Sequence, residues 1–287
     1  MEPVPEVSTK TAARMLAIQN PRRLYHRAEI AFADRLPAAG GAVIVSNHGR
    51  LDFDCFILIG LILHRRGRLV RLLADHLWFG IPGVRRTWLL AGAVDGTREN
   101  AARLLERGEM VLTYPGGVRE IMNSRFRREH IDWSGRIGFA RAAIAAGVPV
   151  IPVIGVGING GHLFVTSGRL LGKLLFRRIL GLGPAYDEYR NPLTIGLLPL
   201  PLPFSLAVHL PLPCKVRYVV GEPIYPVLAS GGDSPAERAA AELAGRTAEA
   251  MKRLIKEYGH PSLGSTGRRF LDDSPTQNEV GVTEDLV

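Results

Sequence analysis

Short apolar runs that are rich in β-branched residues alternate along this sequence with longer stretches of helical periodicity. The apolar runs occupy residues 43–46, 69–74, 110–114, 148–156 and 215–220. The helical patterns occupy residues 54–63, 99–107, 135–146 and 235–258. Regular alternation of strand and helix is typical of an α/β protein, in which helices flank a largely parallel sheet. The sequence therefore predicts this fold class.

The two ends of the chain differ from this α/β pattern. Residues 11–36 have the periodicity of an arginine-bearing helical segment, which Pro21 is expected to bend. From residue 259 onward Ser, Thr, Gly, Asn and acidic residues predominate without periodicity, which is typical of disorder. We therefore expect an N-terminal helical segment at a membrane (1–36), an α/β domain (37–258) and a disordered tail (259–287).

The composition restricts the partners and the compartment. A net charge of +9 predicts an anionic partner, which could be a nucleic acid, an anionic membrane surface or a phosphate-bearing small molecule. Cys55 and Cys214 lie in apolar surroundings and are predicted to be reduced core residues of a cytosolic protein. No metal-binding spacing is present, and the N-terminus lacks the basic and apolar regions of a signal peptide, so we expect no metal and no export.

The first apolar run ends in Ser46, Asn47 and His48, and Asp52 and Asp54 follow it. In α/β sheets functional residues collect at the carboxyl ends of strands. A histidine oriented by a carboxylate is a competent general base, because the carboxylate stabilises the imidazolium that forms. The chain has no G-x-S-x-G nucleophile motif, so the proton is expected to come from a substrate hydroxyl. The alternative to catalysis is that His48 is an ordinary histidine beside a turn with two solvated aspartates.

A second apolar run ends in Tyr-Pro-Gly-Gly-Val-Arg-Glu, at residues 114–120. Its glycines allow close approach of the backbone to a ligand, and Arg119 can bind phosphate or carboxylate. A similar Gly-x-Arg-Glu at residues 96–99 precedes a helical pattern. We expect both turns and the His48–Asp54 pair to line one pocket.

Taken together, these motifs resemble those of the lysophospholipid acyltransferase superfamily. More narrowly, they resemble the branch with diacylglycerol and monoacylglycerol acyltransferases and phytyl ester synthases, whose His-Gly-x-x-Pro-x-Asp motif falls on residues 48–54. The later motifs of that branch fall on residues 75–76, 81–83, 96–99, 115–120 and 221–224. The resemblance implies that His48 and Asp54 are catalytic. It implies that the substrate is bound by Asn47, Gly49, Arg98, Glu99, Pro115, Gly116, Gly117, Arg119 and Glu120.

Two residues depart from the family pattern. Asp52 stands where the branch usually has proline, so it competes with Asp54 as the orienting carboxylate, and we choose Asp54. Gly116 stands where the glycerol-phosphate and lysophosphatidate enzymes usually have glutamate. The resemblance therefore implies transfer of a fatty acyl group from an acyl thioester, in the first place acyl-CoA, to a neutral glycerolipid or a long-chain alcohol. The alternatives are a lysophosphatidate acyltransferase and a non-catalytic lipid-binding protein. No cofactor is expected beyond acyl-CoA as a substrate, and no nucleic acid.

The stretch at residues 192–213 is apolar and contains six prolines. Prolines remove backbone donors and obstruct a helix, so a membrane-spanning helix is not expected. We interpret the stretch as a loop that dips into the cytoplasmic face of an anionic membrane, and a buried crossover is the alternative. The arginines expected to contact lipid headgroups are Arg65, Arg66, Arg68, Arg85, Arg86, Arg125, Arg127, Arg128, Arg177 and Arg178.

The run Gly-Val-Gly-Ile-Asn-Gly at residues 155–160 has the spacing of a dinucleotide-binding turn. No acidic residue stands about twenty positions further on to hold a ribose, so an oxidoreductase is the weaker interpretation.

Overall fold

Seven strands form the central sheet in the computed structural model, which describes residues 6–18, 20–49, 54–80, 83–117, 120, 131–158, 164–167, 194–196, 214–227 and 235–259. They are β1 (Glu29–Ala31), β2 (Ala42–Ser46), β3 (Val70–Ala74), β4 (Val94–Asp95), β5 (Met110–Thr113), β6 (Val150–Val156) and β9 (Arg217–Val220). A separate antiparallel pair is formed by β7 (Phe164–Ser167) and β8 (Thr194–Gly196).

The strand order in the central sheet is β1-β9-β6-β2-β5-β3-β4. All of its pairings are parallel except that of β6 with β9. In register, Ile44 of β2 lies between Leu112 of β5 and Ile151 of β6. The largely parallel sheet predicted from the sequence is therefore confirmed.

Eight helices surround the sheet in the described part of the chain. They are α1 (Thr9–Ala17), α2 (Asn20–Tyr25), α3 (Asp54–Arg66), α4 (His76–Phe79), α5 (Val84–Leu90), α6 (Arg98–Glu106), α7 (Gly138–Ala146) and α8 (Pro235–Tyr258). The helices α1 and α3 pack together on one side, and α6, α7 and α8 pack together on the other.

Successive side chains of the central strands lie on opposite sides of the sheet. Ile44 and Leu112 belong to the apolar cluster that includes α3, whereas Val43 and Val111 belong to the cluster that includes α7 and α8. All four side chains are almost completely buried. Burial of such a side chain contributes about 1.5–3 kcal/mol, so both clusters hold the sheet between two helical layers.

The N-terminal segment differs from the helical segment, bent at Pro21, that its periodicity predicts. Pro21 does not bend a helix but occupies the second position of α2, where a missing N–H has little cost. Residues Glu29–Ala31 form β1 instead of helix, because they pair in parallel with β9 and bury Ile30. A tertiary pairing of this kind overrides local propensity.

A buried ion pair connects the amino ends of two neighbouring strands. Arg71 of β3 is buried, and its Nε donates to the carbonyl of Gly92 at 2.8 Å. Its Nη1 donates to Oε2 of Glu109, the residue before β5, at 2.9 Å. A buried guanidinium needs such partners, because an unpaired charge in the interior is strongly destabilising.

Both cysteines are free thiols. Cys55 is buried in the first turn of α3, as predicted for a core residue. Cys214 is only partly buried, and its Sγ lies 3.4 Å from Nδ1 of His26 and 3.4 Å from the carbonyl oxygen of Gly157. Cys214, which was predicted to lie in the core, packs at the edge of the apolar cluster and also has two polar neighbours.

The stretch at residues 192–213 lies outside the described residues apart from β8, and so does the C-terminal tail from residue 260 onward. In the part that is described, no helix has both the length and the apolar character needed to cross a membrane.

Candidate active site

The site lies where three neighbouring strands end. β6, β2 and β5 are parallel, so their carboxyl ends meet at one edge of the sheet. His48 follows β2, the Pro115–Gly116–Gly117 turn follows β5, and Gly157 follows β6. The structure thus brings His48 and the glycine turn together.

His48 and Asp54 form a close pair at this edge. Nδ1 of His48 lies 3.8 Å from Oδ1 of Asp54, which is beyond hydrogen-bond distance. The side chain of Asp54 is 1% exposed and that of His48 is 24% exposed. Asp54 begins α3, its Oδ1 accepts the N–H of Cys55 at 2.7 Å, and its carbonyl accepts the hydroxyl of Tyr218 at 2.9 Å. The carboxylate is therefore held in place, whereas Asp52 lies outside the described residues.

The imidazole of His48 is neutral at pH 7. Burial lowers the pKa of His48 to about 4, and a backbone hydrogen bond at Gly49 partly opposes this effect. Within the described part of the chain, Nδ1 of His48 has no hydrogen-bond partner. A proton on Nδ1 would face Asp54 and leave the lone pair of Nε2 to accept a proton from a substrate.

Tyr114 packs against His48. The centroids of the two rings are 4.5 Å apart and the ring planes are tilted by 34°. Burial, followed by the negative charge of Asp54, raises the pKa of Tyr114 well above its ordinary value. Sequence reasoning did not select Tyr114, although an aromatic residue directly before the glycine turn was a usable signal.

Glu120 supports the backbone of His48 and does not face a substrate. Its side chain is completely buried. Oε2 accepts the N–H of His48 at 3.0 Å, and Oε1 accepts the N–H of Asp132 at 3.1 Å. Burial raises the pKa of Glu120 to about 8, against the opposite effect of these two amides. Both oxygens of Glu120 are therefore used inside the protein, where a substrate contact was predicted.

Asn47 and Gly49 also have structural roles where substrate contacts were predicted. Asn47 is buried, its Nδ2 donates to the carbonyl of Gly155 at 3.1 Å, and its Oδ1 accepts the N–H of Gly155 at 2.7 Å. A Cβ on Gly49 would lie 2.4 Å from Cγ1 of Ile158. Asn47 therefore joins β2 to β6, and Gly49 is needed for packing.

The glycine turn is braced from behind by Arg136. Nη1 of Arg136 donates to the carbonyls of Pro115 at 3.3 Å and Gly116 at 3.0 Å. The N–H of Gly117 donates to the carbonyl of Tyr114 at 2.9 Å, and Gly117 has a φ of 55°, which favours glycine. The role of Arg136 could not be predicted from the sequence, since this residue is distant from the motif in the chain. Arg119 lies outside the described residues.

Arg98 and Glu99 do not join this site. They begin α6 after β4, which is three strand positions from β2, or about 14 Å at the usual strand spacing. Both are exposed, and the charge of Arg98 acts on Glu237 of α8. One shared pocket was predicted for these two residues, and the structure instead places them after β4, because a repeated motif does not reveal where its strand lies in the sheet.

Little in the described structure suggests a metal or a dinucleotide. Among the residues described, no group of three His, Cys, Asp or Glu side chains could hold a metal ion. Gly155 lies within β6, and both the N–H and the carbonyl of Gly155 are hydrogen-bonded to the side chain of Asn47. This backbone is therefore not open to a pyrophosphate, as a dinucleotide-binding turn requires.

A cavity of about 240 Å³ runs beside α3, between this helix and the helices α1 and α2. Its apolar wall includes Leu16, Phe56, Ile57 and Leu63, and Arg23 and His64 also line it. The cavity begins within one turn of Asp54 and follows one side of α3. Gly60 leaves space there, because a Cβ at this position would meet nothing within 4 Å.

Comparison with known proteins identifies the family. The acyltransferase family model matches residues 27–156, which include His48, Asp54 and the glycine turn. Residues 27–156 therefore belong to the acyltransferase family.

Similar proteins include an enzyme described as a DGAT1/2-independent enzyme synthesizing storage lipids. The protein from Bos taurus is 30% identical over 235 residues, which are 82% of this chain and 61% of the relative. The protein from Homo sapiens is also 30% identical, over 82% of this chain and 63% of the relative. The chain thus spans less than two thirds of the length of these relatives.

A solved structure is similar in fold. The crystal structure of the 1-acyl-sn-glycerophosphate acyltransferase PlsC from Thermotoga maritima matches with a TM-score of 0.50 and 16% identity. The match covers 86% of this chain and 79% of PlsC. This likeness supports the α/β architecture described above.

Proposed function

We propose that the protein transfers a fatty acyl group from an acyl thioester, with acyl-CoA as the donor, to the hydroxyl of a neutral glycerolipid or a long-chain alcohol. The observation that carries the proposal is the neutral His48, with Asp54 at 3.8 Å, at the carboxyl edge of the sheet. A neutral imidazole can accept the hydroxyl proton, and the nearby carboxylate stabilises the imidazolium that results.

The reaction is a direct transfer. His48 takes the proton of the acceptor hydroxyl while the oxygen of that hydroxyl attacks the thioester carbonyl. The tetrahedral intermediate then collapses, the C–S bond breaks, and the imidazolium returns its proton to the leaving thiolate. No covalent acyl-enzyme is needed, so the site requires no nucleophilic side chain.

The glycine turn is the source of oxyanion stabilisation in this mechanism. Pro115 has no N–H, and the N–H of Gly117 donates to Tyr114. We therefore assign the amide of Gly116 to the oxyanion. The brace from Arg136 to the carbonyls of Pro115 and Gly116 would keep this peptide in a fixed orientation, as electrostatic preorganisation requires.

The neutral acceptor is supported by the glycine at residue 116. Gly116 leaves the turn without the glutamate that enzymes with phosphorylated acceptors usually have there, and the nearby carboxyl group of Glu120 is buried and used by backbone amides. The relatives described as synthesizing storage lipids support the same class of product. We expect Arg98 and Arg119 to contact the phosphates of CoA.

The cavity beside α3 is a suitable place for the acyl chain. It is lined largely by apolar side chains, and Phe56 and Ile57 of its wall follow Asp54 in the first turn of α3. Burial of methylenes contributes about 0.8 kcal/mol each, which is the usual source of affinity for a fatty chain.

We also propose that the enzyme works as a peripheral or monotopic protein at the cytoplasmic face of an anionic membrane. Ile18 is 62% exposed and Leu24 is 67% exposed, at the ends of the two N-terminal helices. The exposed arginines Arg14 and Arg22 lie beside them in the chain. Apolar insertion combined with basic charge is a physical route to stable membrane attachment.

The test is thiol release from acyl-CoA by the purified protein with a panel of acceptors, with products identified by mass. Monoacylglycerol, diacylglycerol or a long-chain alcohol should be acylated faster than lysophosphatidic acid at matched concentrations in one detergent. Preference for lysophosphatidic acid would instead establish the alternative acyltransferase. Lipid binding without acceptor-dependent thiol release, unchanged in His48→Ala, would contradict an enzymatic role.

A further inference from the structure

The carboxylate of Glu120 joins three separate parts of the chain at the candidate active site. Glu120 itself lies beyond the glycine turn after β5. Its two oxygens accept the amides of His48, after β2, and Asp132, in the loop before α7. A fully buried carboxyl group is costly unless its oxygens are hydrogen-bonded, and burial raises the pKa of Glu120 to about 8. Here the hydrogen bonds are directed at the backbone of the proposed general base.

The turn leaves room for this carboxylate. A Cβ on Gly116 would lie 2.5 Å from Cβ of Glu120, 2.6 Å from its Oε2 and 2.5 Å from the carbonyl oxygen of Asp132. Contacts below 3 Å at Cβ do not occur without a shift of the neighbouring atoms. Gly116 therefore allows Glu120 to reach the amide of His48.

Tyr114, the residue directly before the glycine turn, contacts the ring of His48. Tyr114 packs on the imidazole at 4.5 Å between centroids, six residues before Glu120. His48 is thus contacted by this segment at two points, on its ring and on its amide. Asp54 approaches the ring from α3.

We propose that Glu120 is a positioning residue for acyl transfer: its buried carboxyl group fixes the backbone of His48 so that the imidazole stays between Tyr114 and Asp54. The inference rests on the proposed function only for its effect on rate. Its effect on the His48 ring can be measured without any substrate.

The experiment compares Glu120→Ala and Glu120→Gln with Glu109→Gln. Glu109 is a suitable control because it lies at the opposite end of β5 and also binds a partner, Arg71, through its carboxylate. Glu120→Ala should lower kcat by at least about tenfold, because small misplacements of a catalytic group have large effects on rate. KM for acyl-CoA should change by less than about twofold, since Glu120 is not placed to touch substrate. Glu120→Gln keeps one carbonyl acceptor and should recover part of the loss.

A second measurement follows the titration of His48 in protein labelled with ¹⁵N-histidine, with the signal assigned by its absence in His48→Ala. In the wild type and in Glu109→Gln, His48 should titrate near its low pKa of about 4. In Glu120→Ala the ring should become more solvated, and its pKa should move toward the ordinary value of about 6.5. The Gln variant should lie between them.

The outcomes separate the two proposals. An unchanged His48 titration and an unchanged kcat in folded Glu120→Ala would show a purely structural carboxylate and overturn the inference. If Glu120→Ala does not fold, the same comparison in the nearly isosteric Glu120→Gln decides. A wild type that lacks acyl transfer but shows the expected titration shift in the variants would refute the proposed function and retain the positioning role.

Discussion

The ring of Tyr114 covers the imidazole of His48, with 4.5 Å between their centroids. In the part of the chain that the structure describes, the buried hydroxyl of Tyr114 has no hydrogen-bond partner. The ring shields His48 from water, which contributes to the desolvation that lowers the His48 pKa.

Replacing Tyr114 separates the effect of its ring from that of its hydroxyl. Tyr114→Phe keeps the ring and removes an unpaired buried hydroxyl, so activity should stay within about threefold and stability should not fall. Tyr114→Ala should lower kcat by about tenfold or more, because His48 loses its packing. Thermal unfolding and thiol release measure both quantities. A Phe variant as inactive as the Ala variant would instead show that the hydroxyl takes part in the reaction.

Substitution of His48 or Asp54 should lower the rate of acyl transfer more than substitution of Asp52. His48→Ala should lower the rate by at least about a hundredfold, because a general base contributes at least this much. Asp54→Asn should lower it nearly as far, since the neutral amide no longer stabilises an imidazolium. Asp52→Asn should have a smaller effect. An inactive Asp52 variant beside an active Asp54 variant would reverse the assignment, provided that circular dichroism shows both to be folded.

The rate should depend on pH through the proton on His48. The base is active when neutral, and burial places its pKa near 4. The rate, kcat/KM, should therefore be nearly constant as pH falls from 7 to about 5.5 and should decline as pH falls through the pKa. An inflection near pH 6.5, the ordinary value for histidine, would contradict the buried environment of the ring.

Filling the cavity beside α3 should change the preferred acyl length. A larger side chain at Gly60 would occupy open space, so Gly60→Leu should fold and should disfavour long acyl-CoA relative to short acyl-CoA. Gly245→Leu is the matched control, because Gly245 lies in α8 and also has open space around its Cβ position. Both variants improve helix propensity, so only the cavity differs between them. An unchanged ratio of long to short substrate in Gly60→Leu would exclude the cavity as the acyl site.

The N-terminal helices should contribute to membrane attachment. The double change Ile18→Ser and Leu24→Ser should reduce flotation with anionic liposomes and make the remaining binding more sensitive to salt. Tyr225→Ser with Val227→Ser is the control, because these exposed apolar residues follow β9. Equal loss of binding in both double variants would argue against a specific N-terminal contact.

The sequence was sufficient to locate the site but not to assign every role in it. His48 and the glycine turn both follow apolar runs, and parallel pairing brings the ends of such runs together. The role of Glu120 could not be predicted, because its partners His48 and Asp132 meet it only in the folded chain. The position of Arg98 and Glu99 after β4 could not be predicted for a related reason, since strand order decides which turns are neighbours.

In the N-terminal part, too, contacts between distant parts of the chain decide a structure that the local sequence does not predict. Residues Glu29–Ala31 have a local pattern compatible with helix, yet they form an edge strand because β9 provides a partner. Arg71 gave no sign of its role either, because its partners Gly92 and Glu109 come from other parts of the chain.

The two hydrogen bonds between the side chain of Asn47 and the backbone of Gly155 order the end of β2 when the chain folds. Two hydrogen bonds from one side chain hold the end of β2 to β6, directly before His48. Fixing the backbone of one residue costs about 1–2 kcal/mol in conformational entropy, and here that cost falls on folding. The residue before the general base is therefore already ordered when a substrate arrives, and the barrier to acyl transfer need not include its immobilisation.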